Sequence, residues 1–223
     1  ATVTILFNGD VSHPQPAGAI DQLWNPANTG VSDPPWNPAP GANNTVYAVA
    51  TTAQGETVIG GEFTSVNAYS RSRIAGLLPG GAVDQSFNPP GGANDYVSTV
   101  AVYTNGPLAG QILLGGGFTA VNGVQRNGIA RLNSNGTIDD SFNPGLGANG
   151  PVYSISLQSD GAILIGGDFT SVNGVPRNRV ARLLSNGGVD LTFDPGAGAN
   201  GPVYAVLAET AAAISIIRAI ING

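Results

Sequence analysis

The sequence predicts an all-β, β-propeller-like radial array of four-stranded blades, in about four repeats of 51–55 residues. Two observations carry this expectation. First, the stretch from Ile163 to Tyr204 is written again almost verbatim at Leu113 to Tyr153, and more loosely at Val58 to Val97. Self-similarity at a fixed period is the signature of a repeat architecture. Second, each copy divides into four short apolar runs separated by turn residues, the pattern of one propeller blade or a similar radial unit. Such a blade has two apolar faces and needs a neighbour on each.

The period follows from matched positions. Phe63, Phe118 and Phe169 are 55 and 51 residues apart, as are Asp84, Asp139 and Asp190. Trp36, Phe87, Phe142 and Phe193 step by 51, 55 and 51. The four extra residues fall at Tyr103 to Gln111 (YTNGPLAGQ), where the next copy has QSDGA. An insertion confined to a Gly/Pro-rich stretch marks a loop between strands.

Taken in order, residues 1–35 form a divergent partial repeat with an entry strand, Ala1 to Asn8, whose Val3, Ile5 and Phe7 alternate with Thr2, Thr4 and Leu6. Residues 36–207 hold the repeat blades. In the last full copy, Val152 to Leu157 reads as a strand ended by the Ser159-Asp160-Gly161 turn. Ile163 to Phe169 is the next strand. Its Gly166-Gly167 pair suits a strand only where it bulges or where another backbone comes close. Val172-Asn173-Gly174 is a turn, Arg179 to Leu184 a third strand, and Val189 to Phe193 a short fourth. The repeated Phe and Trp read as pegs between blades. Residues 208–223 are a divergent terminal strand by register, although their Ala run and spaced isoleucines also fit a helix. The whole is one domain.

Composition narrows the function classes. There are 14 acids against 8 arginines, no lysine, and a net charge of −6. No basic stripe is available, so nucleic acid is not an expected partner. There is no cysteine, hence no thiol chemistry or thiolate metal site. Methionine is absent even at position 1, so the chain reads as a processed piece with Ala1 following a removed signal peptide. No apolar run is long enough to span a membrane. Low charge and an Asn/Gly/Ser/Thr-rich surface suit a secreted or cell-surface protein.

The units Gly-Gly-x-Phe-Thr-x-Val-Asn-Gly-x-x-Arg-Asn-x-Ile/Val-Ala-Arg-Leu, Asp-x-x-Phe-Asn-Pro and Gly-x-Gly-Ala-Asn-Gly-x-Val-Tyr resemble the delta-60 type repeat. That is a bacterial β-propeller family without an assigned biochemical function, common in large exported proteins. The resemblance is tight over residues 111–204, good over 36–110 and weak at the ends; Ala68-Tyr69-Ser70 departs from its Gly-x-x. It implies blades and an exported setting, and carries over no catalytic residue.

Candidate sites are few. Glu62 and Asp168 share a repeat position, as do Arg71, Arg126 and Arg177, and a residue reused in every unit usually solves a structural problem of every unit. Asp139, Asp140 and Asp160 are the weak calcium candidates, as carboxylates beside loop carbonyls, but the 12-residue D-x-D-x-D-G pattern is missing. No cofactor is expected. His13 is the sole histidine and has no triad partners in sight. The Gly-rich loops open onto strands and are not phosphate cradles. The sequons at Asn43 and Asn135 are chance matches in a bacterial protein. The reading favoured is a non-catalytic structural or interaction module that binds a protein or glycan partner. The alternative is a polysaccharide-acting enzyme domain with its site at the propeller channel.

Phe7, Ile59, Leu114, Ile165 and Ile214 step by 52, 55, 51 and 49, so the chain starts and stops at the same strand of the unit. Either Thr2–Phe7 joins the last blade and closes a small ring of four or so blades, or the open blade edges self-associate or pair with other parts. The first is favoured, and Ile5 and Ile214 should then lie on the same side of the molecule.

Overall fold

A computed structural model describes residues 41–208. The expectations for the entry strand, His13, Trp36, ring closure through Ile5 and Ile214, and the terminal strand beyond Ala208 lie outside the described residues. Within them every regular element is a strand, in three copies of one plan.

The first copy is β1 (Val46–Thr51), β2 (Thr57–Gly61), β3 (Ser65–Val66), β4 (Tyr69–Ser70) and β5 (Ile74–Leu77). The second is β6 (Val97–Val102), β7 (Ile112–Gly116), β8 (Ala120–Val121), β9 (Val124–Gln125) and β10 (Ile129–Leu132). The third is β11 (Val152–Leu157), β12 (Ile163–Gly167), β13 (Ser171–Val172), β14 (Val175–Pro176) and β15 (Val180–Leu183). Each copy makes an antiparallel three-stranded sheet with the second strand central, in the orders β1-β2-β5, β6-β7-β10 and β11-β12-β15. A two-stranded hairpin caps the turn between the second and third strands. The inserted residues 103–111 form the loop between β6 and β7, as expected.

The fourth strand of each blade is shorter than its sequence pattern. Only one bridge forms there, Leu77 to Val83, Leu132 to Ile138 and Leu183 to Val189. The cause is the repeated aspartate. Asp190 donates its N–H to the Arg182 carbonyl, and its Oδ1 then takes both the N–H and the hydroxyl of Thr192. Asp84 and Asp139 do the same with Ser86 and Ser141. A backbone N–H captured by a carboxylate two residues back is a turn and leaves the ladder. The recurring aspartate thus fixes the same turn in each blade.

The central strands are buried on both faces, which explains their unbroken apolar runs. Alternate residues serve alternate interfaces. Ile112 and Leu114 join a cluster with Val58, Ile74 and Phe87 of the first copy. Leu113 turns the other way, to Phe142, Ile163 and Ile165. Phe87 and Phe142 are thus pegs between successive blades. Phe193 takes the same place against Leu164, Val180, Val203 and Val206, but is only partly buried.

Gly166 and Gly167 show both reasons for a Gly-Gly pair. A side chain on Gly167 would collide with the Pro151 carbonyl, where the register of β11 on β12 slips between Val152 and Ser154. On Gly166 it would meet Val203 and Val206 of the next repeat at 2.8 Å. The first strands of the three sheets lie next to one another, so they form the inner side of the array.

Candidate functional site

The conserved plan of the repeat fixes two surfaces, at opposite ends of the inner strands. One holds the clefts between neighbouring blades. The other holds a row of tyrosines.

The clefts are built around an arginine–aspartate clamp. Arg131 Nε donates to Asp139 Oδ2 at 2.7 Å, Nη2 to the Ser141 hydroxyl at 3.1 Å, and Nη1 to the Ser185 carbonyl of the next blade at 2.6 Å. Its guanidinium lies 4.9 Å from the Phe142 ring centre and 5.9 Å from that of Tyr103. Arg131 is 2% exposed, so every one of these contacts is made away from water. In the third blade Arg182 repeats the bond to Asp190 at 2.7 Å and stacks over Phe193 at 5.1 Å. Burial raises the Asp139 carboxyl, but the Ser141 hydroxyl, Arg131 and the Ser141 N–H outweigh it and hold it below the usual value. For Asp190 the Thr192 hydroxyl leads the same lowering, against burial and with help from Arg182.

A cavity of 840 Å³ lies beside Arg131, between the 103–108 loop and the Gln158–Gly161 turn. Its counterpart one blade earlier has 330 Å³ and is lined by Gly76, Asp84 and Phe87. Tyr103 borders both. Burial pushes the Tyr103 phenol up; Arg131 counters part of that rise without reaching hydrogen-bond geometry, and the hydroxyl meets no partner.

The tyrosine row comes from the start of the inner strands. Tyr47, Tyr153 and Tyr204 share one repeat position, which is Ser98 in the second copy. There Tyr96 stands two residues earlier and fills the gap. Its ring lies over Gly117, where an added side chain would collide with it, and Gly117 occupies the position of Glu62 and Asp168. Loss of the acid in that blade makes room for the displaced ring. Tyr47 and Tyr96 meet edge to face at 6.3 Å, and Tyr153 and Tyr204 stack at 5.2 Å. The Tyr96 and Tyr153 phenols are close enough to influence each other's protonation. Tyr47 is 50% and Tyr204 53% exposed. Glu62 raises the Tyr47 phenol, while burial leads for Tyr96 and Tyr153, with Asp95 and Asp168 adding to each. All three stay protonated donors at neutral pH.

The calcium candidates are placed apart in role. Asp139 is engaged by Arg131 and Ser141, Asp140 is exposed and 4.0 Å from Arg126, and Asp160 accepts the Ala162 N–H. Among the described residues no three His, Cys, Asp or Glu side chains gather around one point. Asp168 pairs with Arg179 at 3.3 Å. Arg71, Arg126 and Arg177 each bond the carbonyl of the preceding residue. Asn43, Asn94 and Asn149 clasp the hairpins, each accepting two N–H groups and donating to a threonine hydroxyl. The tyrosine row was not foreseen, because Tyr96 and Ser98 break its register. The signal available was the recurrent Val-Tyr at 46–47, 152–153 and 203–204.

Stacked antiparallel blades, with their repeated charges spent on turns and blade contacts, define a β-propeller. Residues 54–87, 110–142 and 158–193 match the family model described as Domain of unknown function (DUF5122) beta-propeller. These three segments carry the delta-60 type repeat, whose function is unassigned. Comparison with curated proteins gives no match. Among the described residues no helix is long and apolar enough to cross a membrane.

Proposed function

We propose that the chain is a non-catalytic β-propeller module of an exported or cell-surface protein, and that it holds a neutral glycan along its tyrosine row. The observation that carries this reading is the convergence of Tyr47, Tyr96, Tyr153 and Tyr204, from four successive repeats, on one partly exposed row beside Glu62, Asp95 and Asp168. A sugar ring offers apolar C–H faces and a rim of hydroxyls. Phenol rings cover the former, and phenol hydroxyls with nearby carboxylates pair with the latter. A net charge of −6 disfavours acidic polysaccharides and nucleic acid. The repeated aspartates are held by turn N–H groups, and two of them by arginine, which supports binding without turnover.

Affinity electrophoresis through gels containing neutral polysaccharides tests the reading. The native chain should be retarded by at least one of them, and Tyr47→Ala with Tyr204→Ala should restore free migration. Free migration of the native chain in every gel, or retardation indifferent to both substitutions, overturns the glycan reading. Turnover of the retarding polysaccharide overturns the non-catalytic part.

A further inference from the structure

The repeat shows what the cleft between the first two blades lacks. Position 131 of the second blade and 182 of the third are arginine, and the matching residue of the first is Gly76. The rest of the clamp is still there. Asp84 Oδ1 takes the N–H and hydroxyl of Ser86 at 2.8 and 2.7 Å, as Asp139 does with Ser141. Phe87 stands where Phe142 lies under Arg131, and Ser134 where Ser185 offers its carbonyl to Arg131. Phe87, Asp84 and Ser134 all line the 330 Å³ cavity.

One acidic group is left without the arginine that its counterparts have. Asp84 is 9% exposed, and no side-chain cation reaches its carboxylate among the described residues. Arg71, which also bonds the Ser70 carbonyl, reaches the Asp84 backbone carbonyl at 3.4 Å and not its carboxylate. Asp139 and Asp190 each give Oδ2 to an arginine, whereas the Asp84 Oδ2 meets none among the described residues.

We propose that the cavity between the first and second blades is a binding site for a guanidinium group, seated where Arg131 and Arg182 sit in the next two blades. The ligand is an arginine side chain, either of a partner polypeptide or of a free arginine-like small molecule. Its planar fork pairs with Asp84 and Ser86, and its face lies on Phe87. An alkylammonium has neither the fork nor the flat face and binds less well. The site stands at the opposite end of the inner strands from the tyrosine row, and does not depend on the glycan reading.

The test is a titration followed in ¹H–¹⁵N spectra, with Nα-acetyl-arginine amide, free arginine and butylamine as probes. The expected result is a saturable shift of the Gly76, Ser86 and Ser134 amides by the capped arginine, with a dissociation constant of roughly millimolar order, as befits so few atoms. Butylamine should bind at least about tenfold more weakly, and Asp84→Asn should weaken the capped arginine by about tenfold or more. That substitution keeps the acceptor for Ser86, and an unchanged spectrum elsewhere verifies its fold. Tighter binding of the capped form than of free arginine assigns the site to a polypeptide; the reverse assigns it to a small molecule. No saturable shift in the millimolar range, or binding indifferent to Asp84→Asn, overturns the proposal.

Discussion

Asn67, Asn122 and Asn173 all take a left-handed backbone at the tip of their hairpins, with φ of 47, 52 and 48°. The next residue must follow them there. It is Gly123 and Gly174 in two copies but Ala68 in the first, at φ 67°. Alanine pays a steric cost in that region that glycine does not. Ala68→Gly should therefore stabilise the chain by about 1 kcal/mol, read as a raised urea midpoint at unchanged slope. The buried clamp gives the opposite case. Asp139→Ala leaves Arg131 charged and buried, and should cost about 3–5 kcal/mol. Asp190→Ala should cost less, because the Arg182 side chain is 22% exposed and can turn to water. Both carboxyls are held below their ordinary value, so the folded chain resists protonating them. Their contribution is complete above the unfolded value of about 3.9 and is lost as pH falls through the folded one. Urea midpoints should drop below about pH 4, and Asp139→Asn should flatten that acid limb.

At the scale of the element, the phenylalanine pegs carry the stacking of one blade on the next. Phe142, fully buried between two sheets, should cost about 3–5 kcal/mol as Phe142→Ala. Phe193→Ala should cost about half that, since Phe193 is only partly covered. Equal losses at the two positions would contradict the difference in packing. The inner and central strands were legible because their apolar runs keep register through every copy and are bounded by turn residues. The fourth strand was legible only in part. Its apolar pattern, Val189 to Phe193, is real, but the Asp190 carboxylate takes the N–H that a longer strand would offer to a neighbour. Side-chain capture of a backbone donor leaves no trace in hydrophobic periodicity. The Gly-Gly pairs were readable for the same reason that they exist: nothing larger fits between Pro151, Val203 and Val206.

At the scale of the molecule, each of the two proposed sites includes a place where neighbouring repeats differ. The Gly76 cavity and the displaced Tyr96 are both departures from the pattern, and each acquires meaning only from the blade beside it. A repeat read along the chain shows which residues recur; it does not show that the starts of the inner strands lie side by side. The tyrosine row, proposed as the recognition surface, has its control in the chain's own aromatic inventory. There are six tyrosines. Four form the row, Tyr69 is exposed on β4, and Tyr103 is buried at the clefts. The most direct measurement is a ¹³C spectrum of ring-labelled tyrosine, recorded as the neutral oligosaccharide matching the retarding gel is added. The result expected is a saturable shift of the Tyr47, Tyr96, Tyr153 and Tyr204 signals, with Tyr69 and Tyr103 unmoved. A shift confined to Tyr69 or Tyr103, with the four signals of the row unchanged at saturation, would contradict it.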